Sequence, residues 1–224
     1  MNAPAPRHVV LGFCCGVALL LAAASGLAQT PPPVLPLLSM TDGTLFPGMS
    51  EEFQILAPWS RAMVEEVLTG DHIVGLVIVR PGSVPNAEGW HPIFPVGTLC
   101  VIDGVTRMPD GRMFIVLRGV MKFRVQSEAT RRAYRTGRVD YLPEVVDEGA
   151  REPLRRLRLR LDELARAVEP VVLPEMTDAE RVNALAYYRD LDLFERQTLL
   201  ERDGVLARAQ GLVDLLTMRL ATGR

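Results

Sequence analysis

The spacing of apolar residues changes once along this chain, and the change divides it into two parts. From Val34 to about Pro143 the apolar positions come in short runs or alternate with a period of two, as strands require. Val74 to Val79 is a continuous apolar run closed by Arg80-Pro81-Gly82, which predicts a strand buried on both faces. Val96 to Arg107 and Arg112 to Glu128 flank Met108-Pro109-Asp110-Gly111, and Asp-Gly supplies the backbone freedom of a tight reversal, so the pair predicts a hairpin. Within the second arm, Met113, Ile115 and Leu117 alternate with Phe114, Val116 and Arg118; both faces are largely apolar, which places this strand inside its sheet. Gly119 then interrupts the pattern and predicts a bulge or bend. One helix interrupts the strands: Pro58 suits a first helical position, and Ala62, Met63, Val67 and Leu68 form a stripe ended by Gly70.

From about Gly149 the period becomes helical. Leu154, Leu157, Leu161, Leu164 and Val168 recur at spacings of three and four, until Pro170 and Pro174 break the pattern. Asp178 to Arg189, Leu191 to Arg202 and Gly204 to Ala221 continue it, with Thr177 and Glu180 placed as a capping box for the first of these. Several strands, one helix and no regular βαβ alternation predict an α+β chain. Its parts are a small closed or half-closed β-barrel subdomain over 34–145 and a helical subdomain over 146–224.

The first residues follow neither pattern. Arg7 and His8 precede an apolar run from Val9 to Ala24, and Gly26-Leu27-Ala28 offers small residues for cleavage. That layout predicts a secretory signal over 1–28, cleaved near Ala28, followed by a proline-rich linker over 29–33. An exported, periplasmic chain without stable membrane insertion is the expectation, and an uncleaved N-terminal anchor is the alternative. Cleavage removes Cys14 and Cys15 and leaves Cys100 in an apolar strand, a small buried hydrophobe rather than half of an internal disulfide.

Composition narrows the chemistry. A net charge of −2 gives no general attraction to nucleic acid, and Lys122 is the only lysine. It lies in Met121-Lys122-Phe123, so no Gly-Lys-Ser/Thr phosphate loop exists, and no serine stands in a nucleophile context beside it. His72, His91 and Cys100 lack the spacing of a metal site. Glu51-Glu52 and Glu65-Glu66 are neighbours that cannot share a face, which suits solvated carboxylates better than a catalytic pair. Arg151, Arg155, Arg156, Arg158 and Arg160 lie opposite the leucine stripe and read as a solvated helix face, without aromatics between them for base stacking. No cofactor, metal or catalytic residue is expected.

Several short motifs in order are similar to one known family. Leu35-Pro36-Leu37 with Leu45-Phe46-Pro47-Gly48, then Val74-Gly75-Leu76-Val77, Phe94-Pro95-Val96-Gly97-Thr98, Pro109-Asp110-Gly111 and Leu117-Arg118-Gly119-Val120 resemble the N-terminal domain of Lon-type proteases. Gln197-Thr198-Leu199-Leu200-Glu201 and Ala207-Arg208-Ala209-Gln210-Gly211-Leu212 extend the resemblance to roughly 34–220. It implies a PUA-like barrel followed by a helical bundle, and a non-enzymatic module that engages unfolded or exposed polypeptides, as a chaperone-like holder or adaptor. Trp59, at a helix start, and Trp90, in the loop Pro81–Pro92, are the expected peptide contacts, together with Phe46 of the Phe-Pro-Gly turn. The alternatives are a scaffold or homo-oligomer pairing through the helical half and, more remotely, an RNA-binding PUA-like protein. Two departures accompany the resemblance: Leu38–Thr44 is more polar than the family's usual approach to Phe-Pro-Gly, and this chain opens on an export-signal pattern whereas the complete proteases of the family work inside cells or organelles.

Overall fold

The computed structural model describes residues 31–129, 133–168, 175–188 and 191–222. The expected signal segment, Pro170 and Pro174 lie outside these residues. Every element of the described residues lies within Pro32–Arg224. These are β1 (Val34–Met40), β2 (Ser50–Ile55), α1 (Pro58–Val67), β3 (Ile73–Ile78), β4 (Val96–Arg107), β5 (Met113–Ala129), β6 (Thr136–Leu142), α2 (Glu148–Val168), α3 (Asp178–Tyr188), α4 (Leu193–Glu201) and α5 (Gly204–Thr222).

The six strands form one mixed sheet in the order β2-β5-β4-β3-β1-β6, and β6 also pairs with β5. Five strands therefore close a circuit on themselves, with β2 appended to the outside of β5. All neighbours are antiparallel except β1 and β3, which run parallel because α1 and β2 cross between them. β3 is buried at all six positions, as its unbroken apolar run predicts. The predicted hairpin joins β4 and β5: Gly111 takes a φ of 84°, Met108 N donates to Arg112 O at 2.8 Å, and Asp110 Oδ1 accepts from Arg112 N at 3.0 Å. The interruption at Gly119 is a bulge, for Leu99 pairs with Met121 while Cys100 pairs with Gly119. A Cβ on Gly119 would stand 2.5 Å from the Phe46 carbonyl oxygen, so only glycine lets the Phe-Pro-Gly turn approach this closely.

Two cores result. One draws on every strand of the circuit, with Leu35, Leu37, Val77, Leu99, Phe123 and Val139 in contact. The other lies between sheet and helices and joins Phe46, Ile115 and Leu117 to Leu161, Leu185 and Leu212. Pro58 does open α1, but the buried stripe is Met63, Val64 and Val67; Ala62, expected inward, is exposed because the helix is rotated by part of a turn. The Thr177–Glu180 capping box is present, and Asp192 with Glu195 forms a second at α4. The arginines of α2 face solvent or pair on the surface, Arg160 with Glu163 at 2.9 Å and Arg158 with both Asp162 and Asp178.

Candidate functional site

Two of the three expected contacts meet. Trp59 stands on the first turn of α1 because Pro58 starts the helix there, and Trp90 arrives from the loop before β4. Their ring centroids are 5.3 Å apart at 84°, an edge-to-face pair, and both rings are half-buried. The loop is fixed from within: Trp90 N donates to Asn86 Oδ1 at 2.8 Å, and Arg80 Nε to Ile93 O at 3.0 Å. Arg135, only 2% exposed, sets its guanidinium 5.3 Å from the Trp90 ring centre. Its Nη2 donates to His91 O at 2.6 Å and its Nε lies 3.0 Å from Glu128 Oε2. The result is an aromatic corner whose loop is held by its own hydrogen bonds and whose rings remain partly open to solvent.

Phe46 does not join it. The ring is fully buried in the core between sheet and helices, with the Arg208 guanidinium 5.4 Å above it. This corrects the expectation of a peptide contact: the Phe-Pro-Gly turn drives its aromatic inward, since Gly48 N bonds Gly119 O and folds the turn onto the bulge.

Sequence reasoning missed the ionic cluster beside it. Lys122 on β5 places Nζ 3.0 Å from Glu144 Oε1 and 2.6 Å from the Arg202 carbonyl. Glu144, after β6, receives both Arg208 Nη atoms at 2.6 and 2.9 Å. Arg208 on α5 also donates to Asn183 Oδ1 at 2.6 Å and to Leu199 O at 3.1 Å, while Asn183 Nδ2 donates to Pro47 O at 3.0 Å. Lys122 is 2% exposed and Arg208 0%, so these bonds replace water almost entirely. The cluster ties the strand circuit, the Phe-Pro-Gly turn and three helices together. The ammonium of the sole lysine is thus bonded to the Glu144 carboxylate and the Arg202 carbonyl.

Electrostatics follow from that packing. Burial alone raises the Glu144 carboxyl, but hydrogen bonds and charge from Arg208, then Lys122, outweigh it and hold the group below the ordinary glutamate value. For Lys122 burial wins over Glu144 and lowers the ammonium's pKa. A depressed carboxyl contributes stability that is complete above its unfolded value, near 4.5, and is lost as pH falls through the lower folded value. Denaturant titrations should show stability falling across that acid window, and Glu144→Gln should flatten the fall while lowering stability at neutral pH. An unchanged acid slope in the variant would remove Glu144 from the account.

The thiol and the two described imidazoles lie outside this cluster. Cys100 is fully buried and burial pushes its thiol far up. His72 and His91 are exposed and separate; His91 Nδ1 sits 2.9 Å from Ser83 O. Among the described residues no group of His, Cys, Asp and Glu could hold a metal ion, and no helix is long and apolar enough to cross a membrane.

Known proteins share this fold. The Lon N-terminal domain protein from Xanthomonas campestris superposes with a TM-score of 0.63 at 22% identity, covering 81% of this chain and 97% of that one. The N-terminal domain of Lon protease from the Mycobacterium avium complex gives 0.60 at 22%, covering 82% and 98%. In sequence, Lon proteases from Trichlorobacter lovleyi and Cytophaga hutchinsonii are 28% and 24% identical, each over 83% of this chain. The chain spans only 24% of the length of either. The model of the ATP-dependent protease La (LON) substrate-binding domain matches residues 34–218. The chain belongs to the family of LON substrate-binding domains.

Proposed function

We propose that this chain is a non-enzymatic module that holds exposed segments of other polypeptides, acting as a chaperone-like holder or an adaptor. The observation that carries the reading is the match of residues 34–218 to the model of a LON substrate-binding domain. In this reading the closed circuit of strands is a PUA-like barrel, the helices are its C-terminal bundle, and the Trp59–Trp90 corner is one contact for an apolar side chain. The signal pattern over 1–28 supports export, so the clients would be periplasmic polypeptides.

The chain has only two tryptophans, and they form the corner, so intrinsic emission reports on that place alone. Titration with a reduced, carboxamidomethylated protein should shift tryptophan emission with saturation in the micromolar range, and the folded form of the same protein should not. Saturable binding seen by another probe with no change in emission would move the contact away from the two indoles. Absence of any binding up to tens of micromolar would end the reading.

A further inference from the structure

We propose that the outer edge of β2 is a docking strand that captures an extended polypeptide by main-chain hydrogen bonds. This rests on the polypeptide-binding reading and specifies how the client is held.

β2 is the last strand in the sheet order and pairs on one side only, with Met113–Arg118 of β5. β6 takes the same side of β5 beyond the bulge, from Lys122 to Ala129, so β2 never reaches the circuit's closure. The hydrogen-bond register can be fixed from both ends. Gly119 N donates to Met49 O at 2.9 Å, which makes that step a bonded one. Because bonded and non-bonded pairs alternate in an antiparallel ladder, Glu51, Phe53 and Ile55 then bond β5. From the hairpin, Met108 N donates to Arg112 O, so Phe114 and Val116 bond β4 and leave Met113, Ile115 and Leu117 to bond β2. The two counts agree. Ser50, Glu52 and Gln54 therefore aim their N–H and C=O groups away from the sheet, and none of these groups has a hydrogen-bond partner among the described residues.

The edge is open to solvent. Ser50 and Glu52 are exposed, Gln54 is half-buried, and Leu56, next but one along the chain, is 65% exposed. A strand laid here would replace water on six backbone groups without regard to sequence, the property that binding of varied unfolded chains requires. It would also run out at Leu56, three residues before Trp59 of the aromatic corner. Charge selects the occupant. Glu52 carries no ion pair among the described residues, so a segment with Lys or Arg beside apolar residues is favoured. A second copy is the poorer partner, because pairing two β2 edges antiparallel brings Glu51-Glu52 of both copies into one short ladder.

The test is residue-resolved amide exchange of the full chain, alone and saturated with a reduced, carboxamidomethylated, lysine-rich protein. The Glu52 and Gln54 amides should exchange freely alone and slow by at least about tenfold in the complex. Gln54→Pro removes an outward donor while sparing every bond to β5, and should weaken binding roughly tenfold with the thermal midpoint nearly unchanged. Binding that leaves both amides unprotected, and that Gln54→Pro does not weaken, would overturn the edge while leaving the binding function standing. Protection that appears with rising protein concentration and no client would identify a second copy as the occupant and overturn the proposal. Absence of any client binding would sink the edge together with the reading beneath it.

Discussion

Replacing Arg208 with alanine should destabilise the protein by about 3–5 kcal/mol, the cost of breaking a buried ion pair by removing one partner. The guanidinium has no exposed surface and serves Glu144, Asn183, the Leu199 carbonyl and the face of Phe46 at once. Truncation leaves a carboxylate, an amide oxygen and a carbonyl without those donors in a place water does not reach freely. Lys122 alone cannot hold Glu144, since burial already works against its own charge. Urea unfolding should show the lower midpoint, and amide exchange should show α5 loosening from the sheet rather than the sheet opening first. The triple replacement Lys122→Met, Glu144→Leu, Arg208→Met should recover most of the loss, because desolvation of three charges disappears with them. A loss under about 1 kcal/mol for Arg208→Ala would show that the cluster only decorates an interface held by apolar packing.

Phe123→Ala should cost a similar amount, about 3–5 kcal/mol, through a cavity at the centre of the strand circuit. The ring is fully buried, and two glycines make its seat. A Cβ on Gly75 would stand 2.8 Å from Phe123 Cζ; one on Gly97 would stand equally close and also strike the Leu76 carbonyl oxygen. The glycines in Val74-Gly75-Leu76 and Val96-Gly97-Thr98 are therefore the two sides of one aromatic pocket. Gly75→Ala should destabilise by about 1–3 kcal/mol through overpacking. That penalty should shrink when Phe123 is also replaced by leucine, a coupling a double-mutant cycle would measure. Additive losses would mean that ring and glycine do not share the space.

This pocket shows why so much of the fold was legible. Turn glycines, an unbroken apolar run and a leucine stripe each have one local physical cause, so β3, the hairpin at Asp110-Gly111, the bulge at Gly119 and α2 follow from neighbours in sequence. β2 is harder, because Ser50-Glu51-Glu52 is polar and an edge strand needs only one buried face. The site residues were legible only in part. Trp59 and Trp90 announce themselves as aromatics in a cap and a loop, but nothing local says that they touch. Phe46 was misassigned because a Phe-Pro-Gly turn reads as surface, whereas the contact with Gly119 comes from 73 positions away in sequence and turns the ring inward. Arg208 did leave a signal. It shares the helical spacing of Val205, Ala209, Leu212 and Leu216, so a charge sat on the buried face of α5 and required a buried partner. Glu144 could not be named as that partner, since it lies 64 residues earlier between two elements.

The central claim is that the chain holds polypeptides and does not cut them. Its most direct test is to titrate a fluorescently labelled, reduced and carboxamidomethylated protein with the purified chain, follow anisotropy to equilibrium, and then take the intact mass of the labelled protein. Saturable binding with a micromolar Kd and an unchanged mass, with or without ATP, is the expected result. Flat anisotropy up to tens of micromolar, or fragments that accumulate with time in proportion to the chain added, would contradict it.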